Sequence, residues 1–149
     1  MSTFQAETTI DRRADDVWSY AADITRHPEW MSATEARVIS GEGTSVGGRG
    51  RARLALGPIA LDVDFEVAEA EPGRRIVWRA LTGDARFRSY EVGLDLEPIG
   101  EHASRATYRG HVVLRGRWRL LSPLFAMEGP GAIRRELQQL KAQVEAVPT

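Results

Sequence analysis

The sequence predicts an α+β fold: an antiparallel sheet of seven strands, two short helices after the first strand, and one long C-terminal helix. Three observations carry this reading. Ile10 to Trp30 runs from an apolar-ending strand through a short amphipathic helix into a Pro-Trp turn. From Arg49 to Leu114 apolar residues recur with period 2, the mark of half-buried strands. From Ile133 onward they recur at i, i+4, i+7 and i+11, the mark of an amphipathic helix.

Each element can be justified in order. Thr3 to Ile10 is the first strand. The helix after it places Val17, Ala21 and Ile24 on one stripe, with Asp15 and Asp16 in the first turn, where exposed N–H groups favour negative charge. Pro28 breaks the next turn, so Trp30 begins a second short helical piece or a strand entry. Glu35 to Ser40 is a strand, and the glycine-rich stretch after it, residues 41–48, is a loop.

The next two strands constrain each other. Arg49, Arg51 and Arg53 alternate with Gly50, Ala52 and Leu54, and Leu61, Val63, Phe65 and Val67 alternate with Asp62, Asp64 and Glu66. A hairpin about Gly57-Pro58 sets Arg53 against Asp62, Arg51 against Asp64 and Arg49 against Glu66. A two-residue shift of register also matches arginines with acids. Such cross-strand charge pairs support antiparallel pairing on the outer face. The same register puts Phe65 opposite Gly50 on the inner face.

Glu71-Pro72-Gly73-Arg74 has the residues of a type II turn. The strand from Arg75 to Leu81 directs Ile76, Trp78 and Ala80 to one face. Phe87 to Pro98 places Tyr90, Val92, Leu94 and Leu96 inward. After the Gly100 turn, Arg105 to Leu114 directs Ala106, Tyr108, Gly110, Val112 and Leu114 inward. Consecutive hairpins with one apolar face make a meander. Ile133, Leu137, Leu140 and Val144 form the stripe of the closing helix. Trp118, Leu121, Leu124 and Phe125 are helical in spacing too, and Gly129-Pro130-Gly131 between the halves predicts a kink or break.

The totals bound the function classes. The 149 residues suit one domain, 1–149, with a real core. A net charge of −1, with acids interleaved among the arginines, gives no reason to expect nucleic acid or an anionic membrane as partner. There is no cysteine, so disulfide and thiol chemistry are excluded. No apolar run approaches the roughly 18 residues of a membrane span, and a cytoplasmic location is expected.

The order of elements resembles the helix-grip fold of the START/Bet v 1-like superfamily (SRPBCC; polyketide cyclase/dehydrase and lipid transport). The residues that carry the resemblance are the Ile10–Trp18 opening, His27-Pro28-Glu29-Trp30, the Gly47-Gly48 turn, Glu71-Pro72-Gly73-Arg74-Arg75-Ile76-Val77-Trp78 and the closing helix. Ala14 stands where proline is usual, a minor departure. The resemblance covers essentially the whole chain. It implies a curved seven-stranded antiparallel sheet wrapped around the long helix, with a largely apolar cavity between them. It does not choose among cyclases, lipid carriers, hormone receptors and co-chaperone-like proteins.

Candidate chemistry is sparse. His27, His102 and His111 lack metal-ligand spacing, no nucleophile elbow surrounds any serine, and the Gly-rich loop leads into a strand rather than a helix. No metal and no cofactor are therefore expected. His111 falls on the outer face opposite Glu91, His102 lies in a turn, and His27 has a packing role near the cavity mouth.

Strand parity directs Arg88, Tyr90, Tyr108 and Trp78 inward, Phe65 shares the inner face, and Trp30 and Trp118 close the ends. These seven are the candidate cavity residues. An inward arginine is costly unless paired or at an open end, and a local bulge is the alternative that turns Arg88 outward.

Three functions follow. The leading one is binding of a small hydrophobic or aromatic ligand, for carriage, storage or sensing. The second is an aromatic cyclase/dehydratase-type enzyme, in which Arg88 polarises a carbonyl and Tyr90 or Tyr108 moves a proton. The third is an interaction domain or homodimer that uses apolar surface around Leu120, Leu121, Leu124 and Phe125.

Overall fold

The computed structural model describes residues 2–56, 58–81 and 84–148. Seven strands form one antiparallel sheet in the order β1-β7-β6-β5-β4-β3-β2: β1 (Ser2–Ile10), β2 (Ala33–Ser40), β3 (Arg49–Leu56), β4 (Ile59–Glu71), β5 (Arg75–Ala80), β6 (Phe87–Ile99) and β7 (Ala103–Leu114). Helix α1 (Ala14–Ala22) and a 3₁₀ segment (Ile24–Glu29) connect β1 to β2. A second 3₁₀ segment (Gly116–Leu121) leads into the long helix α2 (Ser122–Ala146). Asp23 starts the first 3₁₀ segment by accepting from the Thr25 backbone N–H at 3.0 Å.

The hairpin of β3 and β4 has the register its charges predict. Arg53 faces Asp62, Arg51 faces Asp64, Arg49 faces Glu66 and Gly50 faces Phe65. Gly57 of the expected turn lies outside the described residues. Arg51 grips Asp64 with two hydrogen bonds, of 2.6 and 3.0 Å, and Arg53 reaches Asp62 at 3.0 Å. The ion pairs continue across the outer face, with Arg75 on Asp95 and Glu69, Arg79 on Glu91, and Arg109 on Asp95. His111 stands opposite Glu91 as expected. Its Nδ1, however, is 2.8 Å from Thr3 Oγ1, while Glu91 takes Arg79. A guanidinium is charged at every physiological pH and offers a planar fork of donors, so Arg79 is a strong partner for the carboxylate.

The Glu71–Arg74 turn closes with the Arg74 N–H donating to the Glu71 carbonyl at 2.9 Å, and Gly73 adopts φ +77°, the left-handed conformation that the turn demands of its third residue.

Ile133, Leu137, Leu140 and Val144 of α2 pack on the inner face of the sheet with Ile10, Val67, Ile76 and Leu94. The helix comes close to β7 because Gly110 has no side chain: a Cβ there would stand 3.1 Å from Ile133 Cδ1. The expected break at Gly129-Pro130-Gly131 is absent, since α2 runs unbroken from Ser122 to Ala146. Pro130 removes one backbone donor. Packing explains why the helix continues. Phe125, Ala132 and Ile133 are buried on both sides of the interruption, and Gly129 leaves room for the Phe4 ring.

A smaller apolar cluster of Phe87, Val112, Leu114 and Phe125, with Trp118 and Leu121 against it, fills the end of the sheet under the start of α2. Of the apolar surface expected here only Leu120 is strongly exposed; Phe125 is buried, and Leu121 and Leu124 are half-buried.

Candidate functional site

Where the two apolar clusters meet, the sheet and α2 leave a cavity of about 110 Å³. Strands β3 to β7 supply its floor, including Phe65, Trp78, Tyr90 and Tyr108. Helix α2 supplies the roof through Phe125, Gly129, Ala132, Ile133 and Glu136, and His27, Met31 and Ser32 form one end.

Glu136 gives the cavity its chemistry. It lies within the inner stripe of α2, three residues after Ile133 and four before Leu140, so its carboxylate is carried under the helix. Tyr108 donates to Oε1 at 2.9 Å and Ser32 donates to Oε2 at 3.1 Å. Burial raises the pKa of Glu136, and these two hydrogen bonds only partly offset the cost of desolvating the charge. Tyr108 and Tyr90 are both pushed well up by burial, with the Glu136 charge adding to it, so both phenols stay protonated.

His27 is held neutral. It is 2 % exposed, and its Nε2 is 3.1 Å from the Ala21 carbonyl, which only accepts, so the ring proton sits on Nε2. Burial lowers its pKa to about 4. The imidazole meets Trp78 edge-on at 4.7 Å between ring centroids and stacks on Phe65 at 6.3 Å. Its packing role is as expected, and it also lines the cavity.

The seven candidates separate cleanly. Phe65, Trp78, Tyr90 and Tyr108 line the cavity. Trp30 stands behind the wall, 2 % exposed, with its ring 5.4 Å from that of Tyr108 and 6.3 Å from that of Trp78; it braces the site from outside rather than closing its end. Trp118 packs against the smaller cluster and does not line the cavity.

Arg88 is exposed and points away. The register slips by one residue between Phe87 and Ser89, a bulge that makes Arg88 the extra residue and turns Phe87 inward at 3 % exposure. Phe87 gains edge contacts with Tyr90 and Phe125, and Arg88 stays in water. Apolar burial and charge solvation both favour the slip.

Sequence reasoning missed Glu136 and Ser32. Glu136 was detectable, because a helical stripe at i, i+3, i+4 and i+7 from Ile133 includes position 136. Ser32 carries no such signal, since only the fold brings the loop before β2 to α2.

Among the described residues no group of three or more histidine or acidic side chains is arranged to hold a metal, and no helix is long and apolar enough to cross a membrane.

Solved structures share this architecture. A protein of Thermus thermophilus is 20% identical, with TM-score 0.80 over 99% of this chain and 100% of its own. The Zhui aromatase/cyclase of a Streptomyces species is 12% identical, with TM-score 0.77 over 97% and 93%. Norcoclaurine synthase of Thalictrum flavum is 14% identical, with TM-score 0.71 over 99% and 95%. At such identities these likenesses speak to fold alone. No curated protein matches the sequence significantly. The family model described as polyketide cyclase / dehydrase and lipid transport matches residues 1–145, and the chain belongs to that family.

Proposed function

We propose that this protein binds a small, largely apolar ligand between its sheet and α2, and that the Glu136–Tyr108–Ser32 cluster recognises one polar end of that ligand. The observation that carries the reading is Glu136, a carboxylate held inside an otherwise apolar and aromatic cavity by two neutral hydroxyl donors. Cavities with a few polar anchors in apolar walls are the usual form of small-molecule sites. At about 110 Å³ the space lies somewhat below the roughly 150 Å³ of a dry cavity that takes up benzene, so it limits the ligand to one ring at most.

Native mass spectrometry of freshly purified protein, followed by titration with single-ring compounds under tryptophan fluorescence, tests the reading. Saturable quenching with one ligand per chain is the expected result. Failure of every single-ring compound to bind would overturn it.

Glu136 also favours a second reading, catalysis of the cyclase/dehydratase type. It supplies the titratable inward group that the tyrosines alone lack, and burial raises its pKa, which makes it a better proton acceptor than a solvated carboxylate. Arg88 has no part in this reading. Turnover in Glu136→Gln separates the two: an enzyme loses kcat far more than binding, whereas a binding protein has no kcat to lose. A folded multi-ring polyketide is larger than this cavity, which weighs toward binding.

A further inference from the structure

Resting on the cavity reading, we infer that the polar end Glu136 recognises is a protonated amine, so that the ligand class is a single aromatic ring bearing an ammonium group on a short arm. Four observations converge on this class.

Glu136 has neutral partners. Tyr108 and Ser32 occupy one lone pair on each carboxylate oxygen, which leaves acceptor capacity on both for N–H donors. The cationic influence on it is Arg135, on its own helix and exposed. The other ionisable groups bordering the cavity are engaged elsewhere. Arg79 pairs with Glu91 at 3.0 Å, and His111 bonds Thr3 at 2.8 Å.

His27 is the titratable base at this end of the cavity, and it is not a counter-ion. Its ring proton is committed to the Ala21 carbonyl, and burial keeps it neutral above about pH 4. Tyr90 and Tyr108 face Glu136 from β6 and β7 as neutral phenols.

The walls add to the preference. Phe65, Trp78, Tyr90 and Tyr108 are aromatic, and ring faces attract cations where water is excluded. Finally, a buried carboxylate without a cation is costly. A neutral ligand leaves that cost in place or forces Glu136 to take up a proton. An ammonium group removes it, and the ring fills the remaining volume.

The test uses three single-ring probes: benzylamine, its isostere benzyl alcohol, and the smaller apolar toluene, each titrated by calorimetry into the wild-type chain and into Glu136→Gln at pH 7. Wild type is expected to bind benzylamine at least tenfold more tightly than benzyl alcohol, and Glu136→Gln to reverse that order. In wild type the benzylamine affinity should fall on acidification as Glu136 gains its proton, while the toluene affinity holds or rises.

Equal or tighter binding of the neutral probes by wild type overturns the inference and leaves the cavity reading standing. Retention of benzylamine affinity in Glu136→Gln does the same. If no probe binds, the cavity reading falls, and this inference with it. Circular dichroism checks the fold of the variant, and the wild-type pH profile decides the matter without it.

Discussion

Strand β3 borders two electrostatic regimes. On its outer face Arg51 holds Asp64 in water, and the ion pair keeps that carboxyl below the usual aspartate range. Across the sheet, within the cavity, Tyr108 and Ser32 hold Glu136, and its carboxyl moves up instead. Both acids accept two hydrogen bonds. The difference is that Asp64 has a guanidinium and solvent, while Glu136 has two neutral hydroxyls and apolar walls. Hydrogen bonding to neutral donors does not replace lost hydration. The outer face therefore uses charge to align strands, and the inner face keeps one charge at a cost to stability, the usual sign of a binding or catalytic group.

The largest test of this contrast is acidification. The folded-state pKa of His27 is depressed from 6.5 to about 4. Its neutral form thus contributes stability that is complete above about pH 6.5 and is lost as pH falls toward 4. The loss is on the order of 3 kcal/mol. Glu136 has the opposite sign: its raised pKa makes folding easier as it protonates, which offsets part of the loss. Urea midpoints measured across this pH range should fall steeply in wild type and stay nearly flat in His27→Gln. A flat wild-type profile would place His27 in contact with water.

Next in size is Gly50→Ala, a substitution on the inner side of the ladder strand. The new Cβ would stand 2.6 Å from the Phe65 ring. Overpacking of this kind costs about 1–3 kcal/mol, read as a lower thermal midpoint. Unchanged stability would mean that the ring has free space to retreat into the cavity.

Glu136→Gln should raise stability at pH 7. It removes a buried charge, and its amide can still accept from Tyr108 and donate to Ser32. The gain, read as a higher thermal midpoint than wild type at pH 7, should shrink on acidification as the wild-type carboxylate takes up its proton. A loss of stability at pH 7 would mean that the carboxylate is compensated by something other than its two hydroxyl partners.

The smallest effect belongs to the outer face. Asp64→Asn removes one exposed ion pair, and the resulting small fall in midpoint should vanish in 1 M salt, where charges are screened within about 3 Å. A large effect that persists in salt would give the ladder a packing role.

The legibility of the fold differed by element for physical reasons. The β3–β4 register was readable because charges on one face and Phe65 over Gly50 on the other point to the same pairing. Arg88 was not, because strand parity assumes an unbroken ladder and the bulge before Ser89 cancels it. Pro130 suggests a broken helix by local chemistry. Burial of Phe125 and Ile133 on either side keeps α2 continuous, so tertiary packing overrides a local preference. Of the cavity, Phe65, Trp78, Tyr90 and Tyr108 followed from parity, while Glu136 was legible only to a reading that allows a carboxylate inside an apolar stripe.

By itself the sequence determined the seven strands, their order along the chain, the outer charge ladder and the closing helix, because periodicity and turn chemistry are local and repeat over many residues. The tertiary structure decided which polar groups share the interior. Ser32, Tyr108 and Glu136 are far apart in sequence and meet only when α2 lies across the sheet. The direction of Glu136's pKa is set by that enclosure, which no local pattern encodes.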